Sequence, residues 1–371
     1  MKNNALGILF ASDEDSHLND LTIHRTTASL PYAGRYRLID FVLSNMVHAN
    51  ITKIGIITRN NYNSLMDHIR QGRDWDLNRK NSGISVYPPF VFNAAHEVYK
   101  GKIEALYMLR GFMLKSSEDY VVISNANIAF NIDFEEVEKF HVERGADITM
   151  LTYSTEDVTP RKLVVTADKN KRIKDLRYPV STDTGKQLCN LNIYYVKKDL
   201  LISLIDNAYA HGAYDFEKDI LRASLDELYV MSYEVDNYVA VIDRIPTYFK
   251  RSMDLLNPEV REDLFYNHST ILTKVKDSVP TRYRDGANVK NSLIADGCDI
   301  NGTVINSILF RGVKVEAGAV IENSIVMEGG KVCSGAKMSY IIADKDVTIT
   351  EDKKISGYET YPMVIVKGKT V

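Results

Sequence analysis

The chain has 371 residues, 45% hydrophobic and 26% charged, with 46 Lys and Arg against 49 Asp and Glu, for a net charge of −3. This balance excludes a broadly basic nucleic-acid surface and a disordered charged chain. The length accommodates two domains. No apolar run approaches the ~20 residues that cross a bilayer, no signal-peptide pattern is present, and Cys189, Cys298 and Cys333 form no metal-ligand spacing. A cytoplasmic protein with reduced thiols is expected.

Residues 6–10 form a short apolar run that predicts a buried strand. A loop of small and acidic residues follows. Leu38, Ile39, Val42, Leu43, Met46 and Val47 then recur at helical spacing. Residues 54–57 predict a strand, 62–70 a helix and 120–123 a third strand. Residues 134–144 predict a helix with Asp133 as its N-cap. Runs at 147–153 and 191–196 extend the series. This alternation predicts an α/β domain whose mostly parallel sheet is covered by helices. Ligands of such sheets bind beyond the carboxyl ends of the strands, which directs attention to the loops after Phe10 and Ser124. A helix over 247–256 closes the first domain, 1–256. Residues 257–288, weakly periodic and containing Pro280, read as a linker leading into the remainder.

Residues 289–371 have another rhythm. Apolar residues recur every six, as in Ile294 to Ile300, Val315 to Ile321 and Val326 to Val332 to Met338. Asn291-Ser292-Leu293-Ile294 returns as Asn306-Ser307-Ile308-Leu309 and as Asn323-Ser324-Ile325-Val326, with a fainter copy at Met338-Ser339-Tyr340-Ile341. A six-residue period nested in a longer coil predicts a parallel β-helix of hexapeptide repeats; an antiparallel sandwich is the competing reading. The open ends of such a coil offer an oligomerisation surface.

Several segments carry a family resemblance over nearly the whole chain. They are Pro31-Tyr32-Ala33-Gly34-Arg35-Tyr36-Arg37-Leu38-Ile39-Asp40-Phe41, His68-Ile69 with Trp75-Asp76-Leu77, Asp215-Phe216-Glu217-Lys218-Asp219-Ile220, Ser252-Met253-Asp254-Leu255-Leu256 and Asn291-Ser292-Leu293-Ile294-Ala295-Asp296-Gly297. In this order, with the hexapeptide coil, the chain resembles ADP-glucose pyrophosphorylase (glucose-1-phosphate adenylyltransferase). Within that family it is most similar to the catalytically degenerate D-type subunit of glycogen biosynthesis. The resemblance implies a Rossmann-like nucleotidyltransferase domain followed by a left-handed β-helix. It also implies a catalytic partner subunit that uses Mg²⁺, a heterotetramer, and a phosphorylated metabolite effector.

Departures from the family pattern are concentrated in the pocket. The Gly-rich phosphate loop becomes Ala11-Ser12-Asp13-Glu14-Asp15-Ser16-His17-Leu18, whose carboxylates would repel a polyphosphate. The family Lys falls at Thr27, and the two metal-holding aspartates fall at Ala126 and Val241, with Asp243 two residues beyond the second. The sugar-phosphate Glu-Lys-Pro becomes Arg177-Tyr178-Pro179. Hard Mg²⁺ needs oxygen ligands, so no metal and no catalytic residue are assigned to this chain. Thr27, Ala126, Tyr178 and Val241 are the degenerate positions, and Ser12, Asn125, Arg177 and Asn192 mark a vestigial pocket. Arg35 and Arg37 are the candidate regulatory residues, since Arg forks suit phosphate; structural arginines are the alternative. Asp13, Glu14 and Asp15 read as a solvated loop rather than a metal site. Residues 87–92 read equally as a partner surface or as a loop packed on its own sheet.

Three functions fit the sequence. The first is a non-catalytic partner or regulatory subunit of the adenylyltransferase, and the second an active enzyme using Asp243 and Arg177. The third, a hexapeptide acyltransferase, needs a catalytic His, and none occurs from Ser292 onward. The first is favoured by the number of lost charged ligands.

Overall fold

A computed structural model describes residues 4–12, 17–59, 61–80, 82–88, 99–180, 183 and 185–371. The expectations placed on Asp13, Glu14, Asp15 and residues 89–92 lie outside the described residues.

In chain order the first domain contains β1 (Ala5–Phe10), the short pair β2 (Pro31–Tyr32) and β3 (Tyr36–Arg37), α1 (Leu38–His48), β4 (Lys53–Ile57), α2 (Asn63–Ile69), β5 (Gly83–Tyr87), α3 (Lys102–Met108) and α4 (Arg110–Leu114). Then come β6 (Tyr120–Asn125), β7 (Ile128–Ala129), α5 (Phe134–Arg144), β8 (Ile148–Thr155), β9 (Val164–Ala167), β10 (Ile173–Arg177), β11 (Gln187–Lys197) and α6 (Lys198–Ala210). A π-helical turn (Phe216–Arg222), β12 (Val230–Glu234), β13 (Ala240–Val241), α7 (Ile245–Asp254) and α8 (Pro258–Phe265) complete it. The main sheet runs β10-β9-β11-β6-β1-β4-β5, with β8 joining β11 to β12.

β1 is buried on both faces. Ala5 and Leu9 pack with Ile39, Val42 and Met46 of α1, while Leu6, Ile8 and Phe10 meet Ile103 and Leu106 of α3 and Leu201 and Ile205 of α6. Alternate residues face opposite helix layers, so the strand reads as one continuous apolar run. Gly7 lets α1 approach: a Cβ there would lie 2.7 Å from Met46 Sδ. α5 spans the expected residues, and the Asp133 side chain accepts from Glu135 N at 2.8 Å.

The parallel expectation holds from β5 through β4 and β1 to β6. β11 departs from it, pairing antiparallel with β6 and β8. A strand buried on both faces carries the same apolar pattern in either direction, which hid the reversal. Residues 257–288, expected as a linker and entry to the solenoid, include a helix at their start. Asn257 caps α8, accepting from Glu259 N at 3.0 Å, with Pro258 in the first turn, and Arg282–Tyr283 is already a solenoid strand.

The solenoid has three parallel five-stranded sheets. The face starting at Leu293–Ile294 continues through Ile308–Leu309, Ile325–Val326, Ile341–Ala343 and Met363–Ile365. Ile300, Val304, Val315, Ile321, Val332 and Met338 fill its interior. The Asn-Ser repeat occupies one corner. Asn291, Asn306 and Asn323 have φ of 44°, 46° and 43°, a region that Asn tolerates better than most residues. Each serine hydroxyl accepts a backbone N–H from the next coil: Ser307 N to Ser292 Oγ at 3.2 Å, Ser324 N to Ser307 Oγ at 3.1 Å and Ile341 N to Ser324 Oγ at 3.1 Å. The fourth copy is therefore displaced from its expected place. Tyr340, with φ 55°, holds the Asn position, and Ile341, not Ser339, follows the serines.

The two domains share an apolar cluster in which Leu30, Tyr32, Phe41, Tyr248 and Phe249 pack with Ile308, Phe310, Ile325, Met327 and Ile342. Arg25 reaches through it to the fourth coil, where its Nη2 donates to both Asp344 carboxylate oxygens at 2.8 and 3.0 Å, both side chains buried. No helix among the described residues is long and apolar enough to cross a membrane.

Candidate functional site

A cavity of about 650 Å³ opens beyond the carboxyl ends of β1 and β6 and beside β11. Phe10 and Ser12 enter it from β1, Asn125 and Asn127 from β6, and Asn190 and Asn192 from β11. Val241 enters from the end of β13, Asp243 and Arg244 from the segment after it, and Asp215 and Glu217 from the cap and first turn of the π-helical segment. Lys100 and Lys102 lie at the start of α3. Ser12 and His17 both line the cavity, and His17 N donates to Asp243 O at 2.7 Å.

Lys100, Lys102, Arg161, Lys162 and Arg244 line this wall, and three of them pair with carboxylates. Lys102 meets Glu217. Lys162 lies 3.7 Å from Asp157, and Arg244 bridges Asp157 at 2.6 Å and Asp243 at 3.3 Å. Burial pushes the Lys162 pKa down, against the pull of Asp157. Burial raises the Asp157 pKa, but Lys162 and Arg244 outweigh it and hold the carboxyl below its usual range. Burial, assisted by Cys189 and Asp243, raises the Tyr153 phenol.

The expected pocket residues divide. Ser12, Asn125, Asn192, Tyr178 and Val241 line the cavity. Arg177 does not: its guanidinium forks onto Asp183 at 2.6 and 2.9 Å, turning it away from the pocket. Thr27 is buried in a 3-10 turn outside the lining. Ala126 is packed in the core, its N–H donating to Phe10 O at 3.0 Å. Magnesium does not fit this set. Ala126 and Val241 supply no oxygen, Asp243 is engaged by Arg244, and no group of three His, Cys, Asp or Glu side chains converges among the described residues.

A smaller cavity, about 230 Å³, lies between the domains and brings Arg35 and Arg37 together with His68, Lys274, Lys276, Arg311, Lys345 and Glu328. Arg35 is exposed, its guanidinium 5.9 Å from the Tyr36 ring centroid. Arg37 is partly structural: it donates to Ser64 O at 2.7 Å and Ser64 Oγ at 2.9 Å, and its backbone N–H bonds Asp40. Burial lowers the pKa of Arg37, Arg311 and Lys345. Burial would raise Glu328, but Lys276 and Lys345 hold it at about 2. Arg311 has a side chain only 9% exposed, with Asp296 at 3.8 Å, and its Nε and Nη2 have no hydrogen-bond partner. A buried fork with open donors beside several cations favours a multiply charged anion.

Sequence reasoning missed Arg311, Lys345 and Glu328, although the repeat holds a signal for them. Asp296, Arg311, Glu328 and Lys345 occupy one slot of four successive coils, stacked by the strand register. Lys102 and Glu217 carried no such signal, being 115 residues apart.

Comparison with known proteins follows the two domains. A nucleotidyl transferase family model matches residues 6–239, and a GlmU-like C-terminal hexapeptide model matches residues 277–360. The chain is 34% identical over 368 residues to the glycogen biosynthesis protein GlgD of Bacillus subtilis (strain 168), covering 99% of this chain and 96% of that one. It is 36% identical over 323 residues to GlgD of Geobacillus stearothermophilus, covering 86% and 84%. The glucose-1-phosphate adenylyltransferase of Geobacillus stearothermophilus is 29% identical over 328 residues, covering 87% and 84%.

Proposed function

We propose, for a chain that belongs to the nucleotidyl transferase family and to its GlgD glycogen-biosynthesis group, the role of a regulatory partner subunit with little or no catalysis of its own. The catalytic ADP-glucose pyrophosphorylase subunit would convert ATP and glucose 1-phosphate to ADP-glucose and pyrophosphate. That partner would hold the Mg²⁺, and the two chains would form a heterotetramer. A phosphorylated metabolite in the smaller cavity would be the effector.

The observation that carries this reading is the state of the large cavity. Lys102, Lys162 and Arg244 are each matched by a carboxylate of the chain itself. Nucleotidyl transfer depends on groups preorganised around developing charge and on metal held by carboxylates. Turnover through Arg177 and Asp243 has less support, because Asp183 and Arg244 engage them.

The test is a coupled pyrophosphate-release assay on this chain, on the catalytic subunit and on their mixture, with size-exclusion chromatography of each. The chain alone should turn over at least ~10²-fold more slowly than the catalytic subunit. The mixture should co-elute and show a changed activator response. Comparable turnover by this chain alone, or separate elution, would reject the proposal.

A further inference from the structure

The inner wall of the large cavity carries a closed polar network. Lys102 Nζ meets Glu217 Oε1 and reaches Asn192 Oδ1 at 3.3 Å. The fully buried Tyr194 donates to Glu217 Oε1 at 3.1 Å, with Asn192 Oδ1 at 3.3 Å as the other acceptor in reach. Asn190 Nδ2 donates to Tyr194 Oη at 2.6 Å, and Asn190 Oδ1 accepts from Asn192 N at 2.8 Å. Asn192 has φ 56° at a register shift in β11. Bulges of this kind re-aim side chains beside binding sites, and this one turns an amide toward Lys102.

The Glu217 carboxylate thus accepts from an ammonium and a phenol, facing a cavity large enough for a ligand. These donors suit an oxygen-rich anion, and the anion they hold is supplied by the chain. We propose that this is a latent anion site for a phosphate-type ligand, filled by the Glu217 side chain. Glu217 neutralises Lys102 and occupies the space beside it, which closes this wall to free phosphate. The site is distinct from the smaller inter-domain cavity, and the inference goes beyond the partner role because it concerns this chain alone.

Isothermal titration of the full chain with inorganic phosphate tests it. The wild type sets a baseline stoichiometry from any site in the smaller cavity. Glu217→Ala should add one site. In the Lys102→Met/Glu217→Ala double variant the added site should weaken by at least about tenfold or vanish, as loss of a charge-assisted contact requires. Glu217→Ser, which likewise removes both the charge and most of the volume, is read by the same criterion if Glu217→Ala lacks a cooperative melt. Unchanged stoichiometry in the folded Glu217 variant overturns the proposal. A gained site that persists at full strength without Lys102 also overturns it. Loss of the baseline site would bear on the effector reading of the smaller cavity, not on this inference.

Discussion

Arg311 holds a guanidinium where an apolar side chain would be more stable. Its side chain is 9% exposed and Asp296 is its nearest ion-pair partner, at 3.8 Å. Two of its donors are unpaired, and an unsatisfied buried donor costs about 1–3 kcal/mol. Burial and the neighbouring Arg35 both push its pKa down. A phosphorylated ligand would relieve both penalties. Arg311→Met should therefore raise the unfolding midpoint in phosphate-free buffer by roughly 1–2 °C for each kcal/mol recovered. It should also lose most of the stabilisation that phosphate gives the wild type. Scanning calorimetry with and without phosphate reads both effects; equal phosphate stabilisation of the two proteins would remove Arg311 from the site. Arg35 and Arg37, which the structure places in the smaller cavity, stood out in the sequence through their family segment. Arg311 did not, because it joins them only where the solenoid corner meets the first domain.

The solenoid corner shows how a repeat becomes a fold. Asn takes the left-handed turn, Ser takes the next coil's N–H, and two apolar residues enter the stack. Ser307 Oγ donates to Ile305 O at 2.7 Å and accepts from Ser324 N at 3.1 Å, fully buried. Ser307→Ala leaves that N–H without its partner and should cost about 1–3 kcal/mol. Asn306→Gly should be nearly neutral at φ 46°, whereas Asn306→Val adds β-branched strain. Urea unfolding of the three variants gives the ranking; a destabilisation by Gly as large as that by Val would refute the backbone account. The six-residue period was legible because it reflects strand alternation repeated at every coil. The phase of the fourth copy was not, since Tyr340 replaces Asn and Ile341 replaces Ser. The reversed β11 and the helix α8 escaped for related reasons: burial erases strand direction, and a helix of one side and few turns gives a weak period.

At the scale of the molecule, the domains are joined by the apolar cluster and by the buried Arg25–Asp344 pair. The succession of an α/β domain and a solenoid was legible, but the pair was not, because its members are 319 residues apart. Asp344→Asn leaves Arg25 uncompensated and should cost about 3–5 kcal/mol. Arg25→Met/Asp344→Leu should cost less than either single change, because no buried charge is left alone. Denaturant titrations test the order, and a double variant as unstable as the sum of the singles would refute it. The same separation has a consequence for synthesis. At ~5–20 residues per second, Asp344 leaves the ribosome on the order of 15–60 s after Arg25. During that interval the nascent first domain carries an unanswered arginine and an open apolar face. The late coils therefore complete the early domain, and a ribosome stalled between them would present the cell with a half-finished interface for chaperones to shield.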